Sequence, residues 1–249
     1  MRRSRIASLL FALALPLSAS AAELTVSAAA SLTNAFKEVA AQFEKAQPGA
    51  TVRLNFAASG TLLQQMAQGA PVDVFASADQ ATMDKAASQN LIDAATRRDF
   101  AANSLVLITP VQDGPAIASL QDLAGDPVKR IAVGKVATVP VGRYTQQALE
   151  SARLWSALEP KFVQADSVRQ VLDYVSRGEV DAGFVYRTDA AVMQDKVKIA
   201  LTATGHTPVT YPVAVLRESG QKDLAVKFVD FLGGAAAQEV LGRYGFGKP

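Results

Sequence analysis

Cysteine is absent from the 249 residues, and histidine occurs only once, at His206. Without cysteine the chain can form neither a disulfide nor a thiolate metal site, and it carries no cysteine for a lipid anchor. A single histidine cannot build a cluster of imidazole ligands, and any Ser-His-Asp triad would have to use His206. We therefore expect no resident cofactor and no protein-bound metal centre.

Charge is also scarce, since Asp, Glu, Lys and Arg make up 19% of the chain and the formal net charge is +2. Nucleic acids and anionic membrane surfaces are recognised by basic patches, which this balance does not supply. Walker loops, G-x-G-x-x-G fingerprints and G-x-S-x-G elbows are missing from the sequence. The sequence thus predicts no nucleic-acid partner and no membrane insertion.

The first 22 residues have the three regions of a secretory signal peptide. Arg2, Arg3 and Arg5 form a basic head, residues 6–17 are apolar, and residues 18–22 are mostly small. The apolar run is too short for a spanning helix, so a membrane anchor is the weaker alternative. We expect this segment to be removed and the mature protein to be periplasmic.

After residue 22, strand-like and helix-like segments alternate almost to the end of the chain. This pattern is typical of α/β folds in which helices cover a mostly parallel sheet. We predict two such lobes with a ligand cleft between them. The first lobe takes residues 23–103, the second takes 104–210, and residues 211–249 return to the first.

A short sequence is repeated where two strands are expected to become helices: AASLT at residues 29–33 and AASGT at residues 57–61. Either Ser31 or Ser59 alone would be explained as an ordinary helix cap. Two copies at the same edge of a parallel sheet favour a ligand site, because ligands bind at that edge in open α/β folds. Helix starts offer free N–H groups and partial positive charge, so the ligand is expected to be an anion.

Three positions in the second half could complete such a site. Val141 follows Pro140 at a helix start, Val168 follows Ser167 at another, and Tyr186 ends the strand AGFVY. The alternatives are that Pro140 simply starts a helix and that Val168 and Tyr186 belong to the core. If the second lobe faces the first, backbone N–H groups and a phenol would close around the anion.

Nine segments, spread in order over the mature chain, resemble the periplasmic molybdate-binding proteins of ABC uptake systems. They are VSAAASLTNAF, FAASGTL, GAPVDVFASADQATMD, NSLVLITP, AVGKVATVPVGRYTQQAL, VRQVLDYV, AGFVYRTDA, YPVAV and RYGF. The resemblance implies a type II periplasmic binding fold, with crossings between the lobes near residues 103–110 and 211–216. It also implies a monomer that hands its ligand to the membrane permease of an ABC importer.

The same resemblance implies that molybdate or tungstate is the ligand, with molybdenum present only inside the oxyanion. Ser31 and Ser59 would donate through side chain and backbone, Val141 and Val168 through backbone N–H, and Tyr186 through its hydroxyl. The sequence departs from the family pattern at two positions, with Gly60 where serine is common and Val141 where alanine is common. These departures leave the preference between molybdate and tungstate open.

Other functions account for the same residues less well. A sulfate or thiosulfate receptor uses similar chemistry in a smaller cavity, and the resemblance alone separates it from a molybdate receptor. An iron receptor would need clustered tyrosines, and the five here are scattered. A secreted serine hydrolase would need a base close to Ser31 or Ser59, and the sequence shows none. We therefore expect a binding protein and not an enzyme.

Overall fold

The computed structural model describes residues 22–249, over which strands and helices alternate. The predicted signal peptide lies outside these residues, apart from Ala22, with which the first strand begins. The first elements are β1 (Ala22–Ala29), α1 (Thr33–Ala46), β2 (Ala50–Ala57), α2 (Ser59–Ala67), β3 (Val74–Ala76), α3 (Gln80–Ser88) and β4 (Arg98–Asn103). A short 3-10 turn, Ala30–Leu32, joins β1 to α1.

The remaining elements build a second sheet and then return to the first. The second sheet and its helices are β5 (Leu105–Pro110), β6 (Ile131–Gly134), α4 (Pro140–Ser151), α5 (Trp155–Leu158), β7 (Phe162–Ala165), α6 (Val168–Ser176), β8 (Ala182–Tyr186), α7 (Arg187–Val192) and β9 (Val197–Thr202). The chain ends with β10 (Val209–Val215), α8 (Lys222–Gly233) and α9 (Ala235–Arg243).

Each lobe contains one five-stranded sheet, so the α/β two-lobed fold expected from the alternation is confirmed. The strand orders are β2-β1-β3-β10-β4 in the first lobe and β7-β6-β8-β5-β9 in the second. In the first sheet β10 runs antiparallel to both of its neighbours, and β5 does the same in the second. The other four strands of each sheet share one direction, so each sheet is mostly parallel.

The two reversed strands are the ones that enter a lobe from the other lobe. β4 ends at Asn103 and β5 begins at Leu105, so the first crossing is Ser104 alone. The second crossing, residues 203–208, joins β9 to β10. A strand that starts at the cleft must run away from it, opposite to the strands that end there.

The first crossing, Ser104, lies within the segment expected near residues 103–110, and the second, residues 203–208, precedes the segment expected near residues 211–216. β5 lies wholly in the second sheet and β10 wholly in the first, so neither strand spans the lobes. The return to the first sheet begins at Val209, which pairs with Asn103 slightly before the predicted limit at residue 211. The chain changes lobes in the turns before these strands because the strands themselves are paired along their lengths.

Helices cover the sheets with the apolar faces that their periodicity predicts. In α1 the buried positions are Ala35, Phe36, Val39, Ala40 and Phe43, which recur at helical spacing. Phe43 packs edge-on against Phe228 of α8, with ring centroids 5.1 Å apart. Within residues 22–249 no helix has both the length and the apolar character needed to cross a membrane.

Candidate functional site

A small cavity of about 10 Å³ lies between the lobes. All five residues predicted to bind a ligand line it. The complete lining is Ala29, Ala30, Ser31, Ala58, Ser59, Ala78, Val139, Pro140, Val141, Val168 and Tyr186. The structure therefore brings the predicted residues together, while their role in binding stays a prediction.

The repeated corner occupies the first-lobe side of this cavity. Ala29 pairs directly with Ala57 at the ends of β1 and β2, so the two copies lie side by side. The helical turns that follow have Ala29 and Ala58 as cap residues, and neither has a side chain that could satisfy the free N–H groups. The backbone N–H groups of Ser31 and Ser59 lie in these first turns, where helices leave donors without internal partners.

The two serine hydroxyls are held by different groups. Ser59 Oγ accepts a hydrogen bond from the backbone N–H of Ala78 at 3.0 Å, at the end of the neighbouring strand β3. Ser31 Oγ accepts from the hydroxyl of Tyr211 at 3.1 Å. Each hydroxyl oxygen is already an acceptor, so its own proton is free to be donated into the cavity.

The second lobe contributes two helix starts. Val141 lies in the first turn of α4, where Pro140 begins the helix and no side chain caps it. Val168 is the first residue of α6, and Ser167 caps that helix by accepting from the N–H of Gln170. The Val168 N–H precedes the capped one and has no partner inside the helix.

Tyr186 closes the second-lobe side of the cavity at the end of β8. Its side chain is 1% exposed, and its hydroxyl has no hydrogen-bond partner among residues 22–249. The pKa of Tyr186 is raised well above its ordinary value, mainly because the side chain is buried. The phenol keeps its proton and is a donor without an assigned acceptor, the type of group that a buried ligand oxygen would satisfy.

The cavity lining is neutral, and the charged side chains nearby are paired across or beside the cleft. In α4, Arg143 donates from Nε to Asp79 Oδ2 of the first lobe at 2.7 Å, and from Nη2 to Thr82 Oγ1 at 2.6 Å. Asp79 also caps α3, as expected for a turn aspartate. Because its charge is matched by Arg143, this ion pair holds the lobes together without adding net charge to the cavity.

A second ion pair lies behind Tyr186. Arg169 Nε is 2.6 Å from Asp189 Oδ1, although the two groups are not aligned as a hydrogen bond, and Arg169 Nη2 reaches the carbonyl of Ser31 at 3.4 Å. Burial raises the pKa of Asp189 to about 6, and the opposite charge of Arg169 works against that rise. Arg169 thus links the second lobe to the serine corner of the first.

Gly60 makes a close backbone contact between the lobes. Its N–H donates to the carbonyl of Thr138 at 2.9 Å. A Cβ at position 60 would lie 2.6 Å from that carbonyl oxygen and 2.7 Å from the Thr138 Cα. The glycine that departs from the family pattern therefore permits an approach that a larger residue would obstruct.

The arrangement is suited to an oxyanion. Hydroxyl and N–H donors from both lobes face one enclosed space, and helix starts add partial positive charge. Sequence reasoning missed the residues that support these donors, above all Tyr211, Arg143 and Arg169. The matching segment YPVAV includes Tyr211, but nothing in that segment predicts a contact with Ser31.

Comparisons with known proteins show the family of this chain. A family profile described as bacterial extracellular solute-binding protein matches residues 24–247. The molybdate-binding protein ModA of Escherichia coli is 42% identical, and the match covers 96% of this chain and 95% of that protein. ModA of Haemophilus influenzae is 36% identical, with 92% and 91% covered.

Solved structures share the two-lobed fold. The periplasmic molybdate-binding protein of Azotobacter vinelandii superposes with a TM-score of 0.78 at 26% identity, over 91% of this chain and 99% of that one. The sulfate-binding protein SubI of Mycobacterium tuberculosis gives 0.79 at 16% identity, over 90% and 86%, which shows a common fold alone. The resemblance found in the sequence is confirmed, and the chain belongs to the bacterial extracellular solute-binding protein family.

Proposed function

We propose that this protein captures molybdate, and also tungstate, and delivers the anion to the membrane permease of an ABC importer. One observation carries the proposal: four helix starts and one unpartnered phenol converge on a single neutral cavity between the lobes. Relatives named as molybdate-binding proteins, up to 42% identical, support the choice of anion.

The donors available are enough for tight binding without a cationic side chain. Hydrogen bonds to a charged partner contribute roughly 1.5–3 kcal/mol each. About six of them give roughly 9–18 kcal/mol before the cost of association, which removes several kcal/mol. The remainder is consistent with affinities between about micromolar and nanomolar.

Selectivity against phosphate follows from the shortage of acceptors. The oxygens of Ser31 and Ser59 already accept hydrogen bonds from Tyr211 and Ala78, so their protons are the groups offered to a ligand. A protonated oxyanion would bring an O–H group against these donors, leaving a buried polar group unsatisfied. Sulfate carries no such proton. Sulfate receptors share the fold, so the size of the cavity would have to separate sulfate from molybdate.

The site favours binding over catalysis. The partners of the two serine hydroxyls are hydrogen-bond donors, whereas a nucleophilic serine needs a base to take its proton. The ring of His206 lies against the carbonyls of Thr207 and Ala203, within the second crossing. We therefore propose a non-enzymatic, monomeric, periplasmic protein that binds its anion without a cofactor.

We further propose that the lobes open and close about the two crossings. The first lobe would comprise residues 22–103 and 209–249, and the second the residues between them. The anion would bind to the serine corner of the open form, and closure would bring Val141, Val168 and Tyr186 onto it. The paired Arg143 and Asp79 and the Gly60–Thr138 contact would hold the closed form.

Calorimetric titration of the mature protein with molybdate, tungstate, sulfate and phosphate tests the proposal. We expect one-to-one binding of molybdate and tungstate, and binding weaker by about 10- to 150-fold in Ser31→Ala and in Ser59→Ala. Ser88→Ala, in which the removed hydroxyl lies at the exposed end of α3, is the matched control and should bind normally. Tight sulfate binding would keep the site and overturn the specificity, and the absence of any oxyanion binding would refute the proposal.

A further inference from the structure

The hydroxyl of Ser31 is supported by a chain of hydrogen bonds through Tyr211 and Asn103, neither of which lines the cavity. Tyr211 of β10, which is fully buried, has its hydroxyl 3.1 Å from Ser31 Oγ. The same phenolic oxygen lies 3.2 Å from the side-chain nitrogen of Asn103, the last residue of β4. Tyr211 is absent from the cavity lining, so its hydroxyl would act on a ligand through the hydroxyl of Ser31.

A backbone N–H group determines which groups donate and which accept in these hydrogen bonds. The N–H of Ser104 lies 2.9 Å from Asn103 Oδ1, and a backbone N–H can only donate. The amide of Asn103 must therefore turn its nitrogen toward Tyr211. That nitrogen also donates to Thr188 Oγ1 at 2.8 Å, in α7 of the second lobe.

The remaining steps follow from the capacity of each group. The phenolic oxygen of Tyr211 accepts from Asn103, so its own proton is directed to Ser31 Oγ. Burial raises the pKa of Tyr211 well above its ordinary value, so the phenol keeps its proton at neutral pH. Ser31 Oγ is then an acceptor toward Tyr211 and a donor toward the cavity.

We propose that Asn103 and Tyr211 are positioning residues that fix the Ser31 hydroxyl as a donor and so set the selectivity for fully deprotonated oxyanions. This inference rests on the proposed function and deepens it. The corresponding hydroxyl of Ser59 is fixed by a backbone N–H, which no substitution of the Ala78 side chain removes. Ser31 is thus the one serine of the pair whose donor role depends on distant side chains.

The chain of hydrogen bonds from Asn103 through Tyr211 to Ser31 also lies where the lobes meet. Asn103 immediately precedes the first crossing, and Tyr211 lies near the start of the strand that follows the second. Because the amide of Asn103 bonds both Tyr211 and Thr188, the group that orients Ser31 is itself anchored to both lobes. The orientation of the donor is therefore coupled to the contact between the lobes.

The test is a double-mutant cycle between Tyr211→Phe and Ser31→Ala, read by calorimetry with molybdate. Tyr211→Phe keeps the ring that packs against Phe246 and removes only the hydroxyl. We expect molybdate binding to weaken about five- to twentyfold, and the same substitution to have less than a twofold effect in the Ser31→Ala background. The ratio of molybdate to phosphate affinity should also fall, because the released Ser31 hydroxyl can then turn and accept a hydrogen bond from the O–H group of a protonated phosphate.

Tyr174→Phe is the matched control, since Tyr174 is a partly buried tyrosine of α6 that does not line the cavity. It should change molybdate affinity by no more than about twofold. If Tyr211→Phe fails to fold, Asn103→Asp is the second variant. Its carboxylate still accepts from Ser104 and would draw the phenolic proton away from Ser31, so the loss should be larger with Ser31 present than in the Ser31→Ala background.

The outcomes separate the two proposals. If the unmodified protein binds no molybdate, the proposed function itself fails. If it binds but Tyr211→Phe binds equally well, the positioning role is refuted. Losses that add fully in the double variant would also refute it, because they would show that the Tyr211 hydroxyl does not act through Ser31.

Discussion

The two halves of the site present the same chemistry through different parts of the chain. The first lobe offers hydroxyls of Ser31 and Ser59 together with their backbone N–H groups, from two copies of one short sequence. The second lobe offers the N–H groups of Val141 and Val168, whose side chains are apolar, and a single phenol. Side-chain identity therefore matters throughout the first half, and in the second half it matters chiefly at Tyr186.

Among the substitutions that test this comparison, Tyr186→Phe should weaken molybdate binding most, because it removes the one side-chain donor of the second lobe. The hydroxyl has no partner among the described residues, so its loss should leave the unfolding free energy of the free protein unchanged or slightly higher. Molybdate binding should weaken by roughly 1.5–3 kcal/mol, or about 10- to 150-fold. Calorimetry and thermal unfolding measure the two quantities, and unchanged affinity would remove Tyr186 from the binding set.

A smaller effect is expected from Gly60→Ala, which tests the contact between the halves. The added Cβ would meet the Thr138 backbone at 2.6 Å, so closure should cost more and molybdate affinity should fall about tenfold. Alanine is a better helix former than glycine, so the free protein should gain up to about 1 kcal/mol of stability.

Gly233→Ala is the control for this substitution. Nothing lies within 4 Å of a Cβ at that position, near the end of α8, so stability can rise without any effect on binding. A Gly60→Ala variant with normal affinity would show that the lobes close without the tight Thr138 contact.

The contribution of Asp189 to the stability of the folded protein should depend on pH. Its folded pKa of about 6 lies above the ordinary 3.8, so its contribution to stability is full below about pH 4 and is lost as pH rises through 6. The loss corresponds to roughly 3 kcal/mol. Chemical denaturation of the unmodified protein and of Asp189→Asn between pH 4 and 7 should show this fall only in the former. Parallel curves for both proteins would contradict it.

The smallest effect on binding should come from Val141→Ala. The N–H donor remains, so molybdate affinity should change by less than about twofold, while the buried truncation should lower stability by about 2 kcal/mol. Titration beside thermal unfolding separates the two. A large loss of affinity in a folded variant would show that the valine side chain, and not its backbone, serves the ligand.

The first half of the site could be predicted because its signal is local. The repeated AASLT and AASGT corners and the helix starts are visible within a few residues. The pairing of Ala29 with Ala57 then brings the corners together, as parallel strands require. The alternation of strands and helices similarly predicted two α/β lobes. The second half was predicted from helix starts and the family resemblance, because the identity of a residue does not show whether its backbone N–H is a donor to a ligand.

The supporting contacts could not be predicted, because they join residues far apart in sequence. Tyr211 and Ser31 are separated by 180 positions, and Tyr211 and Asn103 by 108. A tyrosine within a buried strand has the pattern of any core residue until the fold places its hydroxyl. The exact ends of the crossings could not be predicted for a related reason, because β5 and β10 show no sequence sign of where pairing begins.

The late position of the reversed strand β10 in the chain limits the order in which the two sheets can gain all their strands. It lies between β3 and β4, so an amino-terminal fragment that ends at residue 208 contains every strand of the second sheet but leaves the first sheet divided. The lobe that begins the chain is thus the last to be finished, through a pairing of high sequence separation, which is the slow kind to form. Tyr211 arrives on that same strand, so the hydroxyl of Ser31 acquires its orientation only when folding of the whole chain is nearly complete.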